Sequence, residues 1–285
     1  MAEVAPSTSA AIDPRTTVGA VSLTVSDLGR SQQFYERVIG LVPASDGLLG
    51  APGEPFLVLY GDRSAPPLNR RATGLYHFAI LMPTRADLAR SLRRIAEARW
   101  PLDGASDHLV SEALYLSDPD GNGIEIYRDR PREQWPRREG RLEMATIPLD
   151  LDTLLVESGD ASASVPPGTT IGHVHLQVAD LDEAERFYSG ALGLDVTVRG
   201  YPGALFVSAG GYHHHLGLNT WHSAGASPPL PGSVGLRSFE VRLPDRAAFE
   251  HTFERVRAAR IEGETVDGGV LVRDPSGNGV LLKSA

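Results

Sequence analysis

Val18-Gly19-Ala20-Val21-Ser22-Leu23-Thr24-Val25-Ser26-Asp27-Leu28 returns later in the chain as Ile171-Gly172-His173-Val174-His175-Leu176-Gln177-Val178-Ala179-Asp180-Leu181. Both copies alternate in the two-residue period of a strand. Each runs into a short helix marked by Phe34-Tyr35 or Phe187-Tyr188 and stopped near Gly40 or Gly193. A second pair of segments follows the same logic. Gly74-Leu75-Tyr76-His77-Phe78-Ala79-Ile80 matches Gly235-Leu236-Arg237-Ser238-Phe239-Glu240-Val241, and helices beginning after Pro83 and Pro244 run to Ala98-Arg99 and Ala259-Arg260. Four units of one strand, one helix and further strands result, an α+β pattern with internal repetition.

The chain has 285 residues and 41% hydrophobic content, enough for a sizeable core in one large or two modest domains. The absence of cysteine excludes disulfides, thiolate metal sites and cysteine nucleophiles together. With 27 Lys+Arg against 36 Asp+Glu the net charge is −9, and no basic run suggests a nucleic-acid groove. No apolar stretch approaches membrane-spanning length, and residues 1–16 lack the basic start and apolar run of a signal peptide. A cytoplasmic protein with small-molecule partners is expected, without nucleic acid or membrane, and self-association is left open. Residues 1–16 read as a disordered tail. Residues 131–170, rich in Arg, Pro, Asp and Ser, read as a linker with one anchored helical stretch near 149–155.

The densest chemistry lies in His108-x5-Leu114-Tyr115-x2-Asp118-Pro119-x-Gly121-x3-Glu125. It reads as a histidine, a strand over 113–117, a tight turn and a second strand over 123–127, which would aim His108, Tyr115 and Glu125 at one cavity. The DPxGN turn alone is weak; in register with a histidine, a tyrosine and a carboxylate it is much stronger. The spacing resembles the signature of the extradiol ring-cleaving dioxygenases of the vicinal oxygen chelate superfamily. That resemblance implies four βαβββ modules forming two vicinal oxygen chelate domains with curled mixed sheets, the first over 17–130 (modules one and two) and the second over 171–285 (modules three and four).

In that family two histidines and one glutamate hold the metal, a facial set that leaves positions open for substrate and dioxygen. The resemblance places them on the first strand of one module and on the first and last strands of its partner. Module one offers Ala20 there, module two His77 and Glu125, module three His173, and module four Ser238 and Leu281. Pairing modules in chain order breaks both sites. Pairing two with three and one with four gives one complete triad, His77, Glu125 and His173, and one bare set. The implied ion is Fe(II), with Mn(II) as the alternative.

The resemblance further makes His214, in Tyr212-His213-His214-His215-Leu216-Gly217-Leu218, the acid/base, with His108 and Tyr115 donating hydrogen bonds to substrate oxygens. The stretch resembles the family strand that supplies a catalytic histidine, and alternation turns His213 and His215 away from the face of His214, so that changes there should be mild. His175 should face the cavity of His173 as a lining residue or substitute ligand, and Tyr76 and Trp221 are unranked pocket candidates. Glu112, Glu240 and the two Phe-Tyr pairs read as structural. The implied activity is catechol 2,3-dioxygenase-like cleavage of a small aromatic substrate with dioxygen. Two alternatives stand beside it. A glyoxalase-like lyase or isomerase usually adds a carboxylate where this chain has its histidine-rich stretch, and a non-catalytic drug-binding protein would leave the triad unexplained.

Overall fold

The computed structural model describes residues 11–159, 162–266 and 268–285. Module one comprises β1 (Thr17–Val25), α1 (Leu28–Phe34), which widens into a π turn over Tyr35–Ile39, then β2 (Val42–Ser45), β3 (Leu48–Ala51) and β4 (Glu54–Gly61). Module two is β5 (Gly74–Leu81), α2 (Arg85–Glu97), β6 (Gly104–Asp107), β7 (Ser111–Ser117) and β8 (Gly123–Asp129). The connector holds three two-residue strands, β9 (Arg137–Arg138), β10 (Arg141–Leu142) and β11 (Ile147–Pro148), and a short helix, α3 (Leu151–Val156). Module three follows as β12 (Thr170–Gln177), α4 (Leu181–Glu185), β13 (Asp195–Val198), β14 (Ala204–Ser208) and β15 (Leu216–Asn219). Module four is β16 (Gly235–Leu243), α5 (Arg246–Ala258), β17 (Gly263–Val266), β18 (Gly269–Arg273) and β19 (Gly279–Ser284). All four units therefore carry the βαβββ order. Each principal helix starts on a side-chain cap: Asp27, Thr84, Asp180 and Asp245 accept from a backbone N–H three residues on.

Modules pair crosswise. One mixed sheet runs β17-β18-β19-β16-β1-β4-β3-β2, joining modules four and one, and the other runs β11-β6-β7-β8-β5-β12-β15-β14-β13, joining modules two and three. Neither 17–130 nor 171–285 holds a whole sheet by itself. The two junctions obey one register: β12 meets β5 antiparallel with His175 opposite His77, and β1 meets β16 antiparallel with Ser22 opposite Ser238. The last strands agree too, with Ala79 beside Glu125 and Glu240 beside Leu281. Duplicated sequence thus yields duplicated geometry, and the core fills the space between sheets and helices with Leu, Ile, Val and Phe.

Two tyrosines tie the modules of each half together. Tyr35 donates to Asp118 Oδ2 at 3.0 Å and Tyr188 to Asp274 Oδ2 at 2.9 Å, each reaching the aspartate that opens the next module's turn. Burial raises both carboxyls, so each depends on its donors. Tyr35→Phe is expected to lower stability by about 1–3 kcal/mol, the usual cost of stripping a partner from a buried polar group. Urea melts of the variant, with unchanged metal content, check this.

Residues 1–10 lie outside the described residues, but 11–16 do not behave as the expected tail. Ile12 is buried, and its N–H donates to the Gly193 carbonyl at 2.9 Å. One apolar residue there gains enough from burial to anchor the segment. In the connector, α3 packs on α2, and Arg93 Nε donates to Ser158 Oγ at 2.8 Å. Among the described residues no helix is long and apolar enough to cross a membrane.

Candidate metal centre

The antiparallel contact of β12 with β5, and the parallel contact of β5 with β8, bring three side chains from three strands to one point. His77 Nε2 lies 3.0 Å and His173 Nε2 3.2 Å from Glu125 Oε2. The three donor atoms all lie within 4.8 Å of one another, and all three residues are buried. The crosswise pairing thus assembles the trio that chain-order pairing would have separated. At the equivalent positions of the other sheet stand Ala20, Ser238 and Leu281, none of which offers a nitrogen or carboxylate.

Burial alone would raise the Glu125 carboxyl, but His173 and His77 beside it bring it net well below the usual carboxylate range. Burial also lowers His173. An ionised carboxylate and neutral imidazoles are the states that bind a cation. His77 Nε2 is aimed at Glu125 yet meets no hydrogen-bond geometry, and it is buried without a partner. An orphaned ring nitrogen converging on a second imidazole and a carboxylate fits a divalent first-row ion.

Above this trio opens a cavity of about 750 Å³, whose lining includes His77, Tyr115, Glu125, His108, His175 and His214. Tyr76 and Trp221 also line it, their ring centroids 5.2 Å apart. His175 faces the cavity as expected but does not join the trio. Its ring has room because Gly217 stands opposite: a Cβ there would lie 2.8 Å from the imidazole. Burial pushes His175 well below the usual imidazole range, and its Nε2 has no partner.

His108 and Tyr115 sit together at the cavity wall. A carbonyl only accepts, so His108 Nδ1–H donates to Ala145 O at 2.7 Å. His108 Nε2 lies 2.6 Å from the Tyr115 hydroxyl, and burial, with Glu125 beside it, raises that hydroxyl well above the usual phenol range. The bond to Ala145 O places the His108 hydrogen on Nδ1. The connector decides this tautomer, a contact invisible in the local motif.

The histidine-rich stretch departs from expectation. β15 begins only at Leu216, so residues 212–215 are not strand and do not alternate. His213 is fully buried and does not line the cavity, but its Nδ1 lies 2.7 Å from His214 Nδ1, a contact that strand alternation would not have allowed. His214 lies against the trio, its ring centroid 4.2 Å from that of His173. Burial, then His173 and His213, push it well below the usual imidazole range. Asp129, which sequence reasoning missed, bonds His213 Nε2 at 2.8 Å. A signal existed: Glu125, Tyr127 and Asp129 share one face of β8 by alternation.

His215 is structural. Its Nδ1 accepts from Ala209 N–H at 3.1 Å and lies 2.9 Å from Ser208 Oγ. Burial lowers its pKa to about 3. The unfolded chain therefore binds the proton first as pH falls below about 6.5. Stability from this group is fully present above that value and is lost as pH falls towards 3, by about 1.4 kcal/mol per unit. Denaturant melts at pH 7 and 5.5 are expected to show a larger loss in the native sequence than in His215→Gln.

Glu112 and Glu240 are structural, as expected. Glu112 is buried among Arg85, Arg128 and Arg130 at 2.7, 2.8 and 3.1 Å. Glu240 pairs with Arg242 and Lys283 and accepts from Ala20 N–H.

Comparison with known proteins agrees with this geometry. The chain is 47% identical over 270 residues to the catechol-2,3-dioxygenase of Bacillus subtilis (strain 168), covering 91% of this chain and 94% of that protein. Glyoxalase I from Zea mays shares the fold with a TM-score of 0.55 at 16% identity, covering 94% of this chain and 92% of its own. The cppA protein from Streptococcus pneumoniae TIGR4 does so with a TM-score of 0.53 at 11% identity, covering 94% and 99%. A single family model matches twice, over 17–126 and 170–282, the two stretches that supply the paired modules. The chain belongs to the Glyoxalase/Bleomycin resistance protein/Dioxygenase superfamily.

Proposed function

We propose that the protein is an extradiol, catechol 2,3-dioxygenase-like enzyme that holds Fe(II) through His77, Glu125 and His173. The observation that carries this reading is the buried convergence of those three donors beneath a cavity, with His77 Nε2 orphaned. The 47% identity to a catechol-2,3-dioxygenase over most of both chains supports it. Iron(II), when bound, supplies a Lewis acid with open positions and the electron chemistry that dioxygen requires. Overall, the ring bond beside the diol breaks, both oxygen atoms enter the product, and no outside reductant is consumed.

The chain's own residues handle shape and protons. Tyr76, Trp221 and Phe206 present aromatic surface to an aromatic ring. Tyr115, whose hydroxyl lies 2.6 Å from His108 Nε2, meets a catechol oxygen with that hydroxyl. His214 takes and returns a proton through Nε2, the nitrogen not engaged by His213. A volume of about 750 Å³ is in the range that holds drug-sized molecules, so substituted catechols fit as well as catechol.

The test is metal analysis of protein prepared anaerobically with Fe(II), followed by oxygen uptake over a panel of catechols and hydroquinones. One iron per chain and oxygen uptake matched to catechol loss are expected. Protein that holds no metal would replace this reading with a binding module, and bound metal without oxygen uptake would favour the lyase or isomerase chemistry of the same superfamily.

A further inference from the structure

A chain of hydrogen bonds leads away from His214 on the side opposite the cavity. His214 Nδ1 lies 2.7 Å from His213 Nδ1, and His213 Nε2 lies 2.8 Å from Asp129 Oδ1. The other carboxylate oxygen, Oδ2, accepts from the Tyr212 hydroxyl at 2.9 Å. The Tyr212 oxygen, its proton so committed, accepts from Tyr127 at 2.7 Å. Every donor along this path points at Asp129.

The direction of the bonds fixes the protons. An ionised carboxylate only accepts, so His213 Nε2 must carry a hydrogen; otherwise two lone pairs would face each other at 2.8 Å. A neutral imidazole with hydrogen on Nε2 has its lone pair on Nδ1. The contact between the two Nδ1 atoms needs one hydrogen, and it then belongs to His214. The His214 lone pair is thereby left on Nε2. His213 is fully buried and packs against Trp135, with ring centroids 5.3 Å apart, so it has no alternative partner in water.

We propose that His213 and Asp129 are positioning residues that hold His214 in the Nδ1–H tautomer and so present its Nε2 lone pair to the cavity. This rests on the dioxygenase reading only for its kinetic consequence. Asp129 closes the same strand that carries Glu125, so one strand sets both a metal donor and the state of the base. In the serine-protease triad an Asp-to-Asn exchange keeps the geometry, produces the wrong histidine tautomer and costs about 10⁴ in turnover.

The experiment is long-range ¹H–¹⁵N spectroscopy of the metal-free protein, which distinguishes the two imidazole tautomers, combined with kinetics of the iron-loaded enzyme. In the native sequence His214 is expected to carry its hydrogen on Nδ1. Asp129→Asn offers an amide N–H to His213 and is expected to move that hydrogen to Nε2. Turnover should fall at least about tenfold, with KM for catechol within about threefold and iron content unchanged. Asp129→Glu, which restores a carboxylate, should recover most of the loss. His213→Gln serves as a second variant; it should lower turnover without lowering iron content. A native His214 protonated on Nε2, or an Asp129→Asn protein with native tautomer and native turnover, would overturn the proposal. If the tautomer switches as expected but the native enzyme consumes no catechol, the positioning stands and the dioxygenase reading falls.

Discussion

Glu125→Ala and His173→Ala are each expected to purify as folded protein without iron and without ring-cleaving activity. The trio has only three donors, and removal of one leaves two, which cannot define a facial site. Loss of a supporting hydrogen bond to a ligand already costs about 10–100-fold in metal affinity; loss of a ligand itself should exceed that. The fold should survive, because sheets of eight and nine strands and the core between them are built by the module junctions. Glu125→Ala even removes a buried carboxylate that depends on His173 and His77 beside it to stay ionised. Metal analysis, with circular dichroism as the check on folding, decides the matter. Ala20→Gly and Leu281→Val, at the equivalent positions of the other sheet, should leave iron content unchanged. An Glu125→Ala protein with full iron and activity would remove the site from between modules two and three.

The module pairing was legible because it could be posed as a sorting problem. His77 with Glu125, and His173 alone, are incomplete in their own halves of the chain; only the crosswise arrangement joins them, and strand register, shifted between Ile171 and His173 and between His175 and Leu176, then brings the donor atoms together. The two-residue period also located Tyr115 and His108 at the same wall, since pairing of β7 with β8 sets Tyr115 opposite Glu125. Where the chain leaves the ladder, the period carries no information. Residues 212–215 precede β15, so the contact of His213 Nδ1 with His214 Nδ1 could not be read from strand alternation. Nor could spacing indicate that Ala145, in the connector, would accept from His108. Side-chain direction in irregular segments depends on partners distant in sequence, and those appear only with the tertiary structure.

His214→Phe is expected to retain iron and catechol binding while lowering turnover by about 10²–10⁴, the usual contribution of a positioned acid/base. Phenylalanine keeps a flat ring of similar outline against His173 and Phe206, whose centroids lie 4.2 and 5.0 Å from that of His214. It cannot exchange a proton. The substitution also strips His213 Nδ1 of its partner, so stability should fall by about 1–3 kcal/mol. That loss separates two effects: the melt reports the broken bond to His213, while kcat at unchanged KM reports the missing base. Measurements of iron content, KM and kcat on the same preparation make the comparison. If His214→Phe instead lost its iron, the imidazole packed against His173 would belong among the metal's own ligands. One of His77 and His173 would then have to leave the set, since the facial arrangement argued here has room for two histidines and one carboxylate.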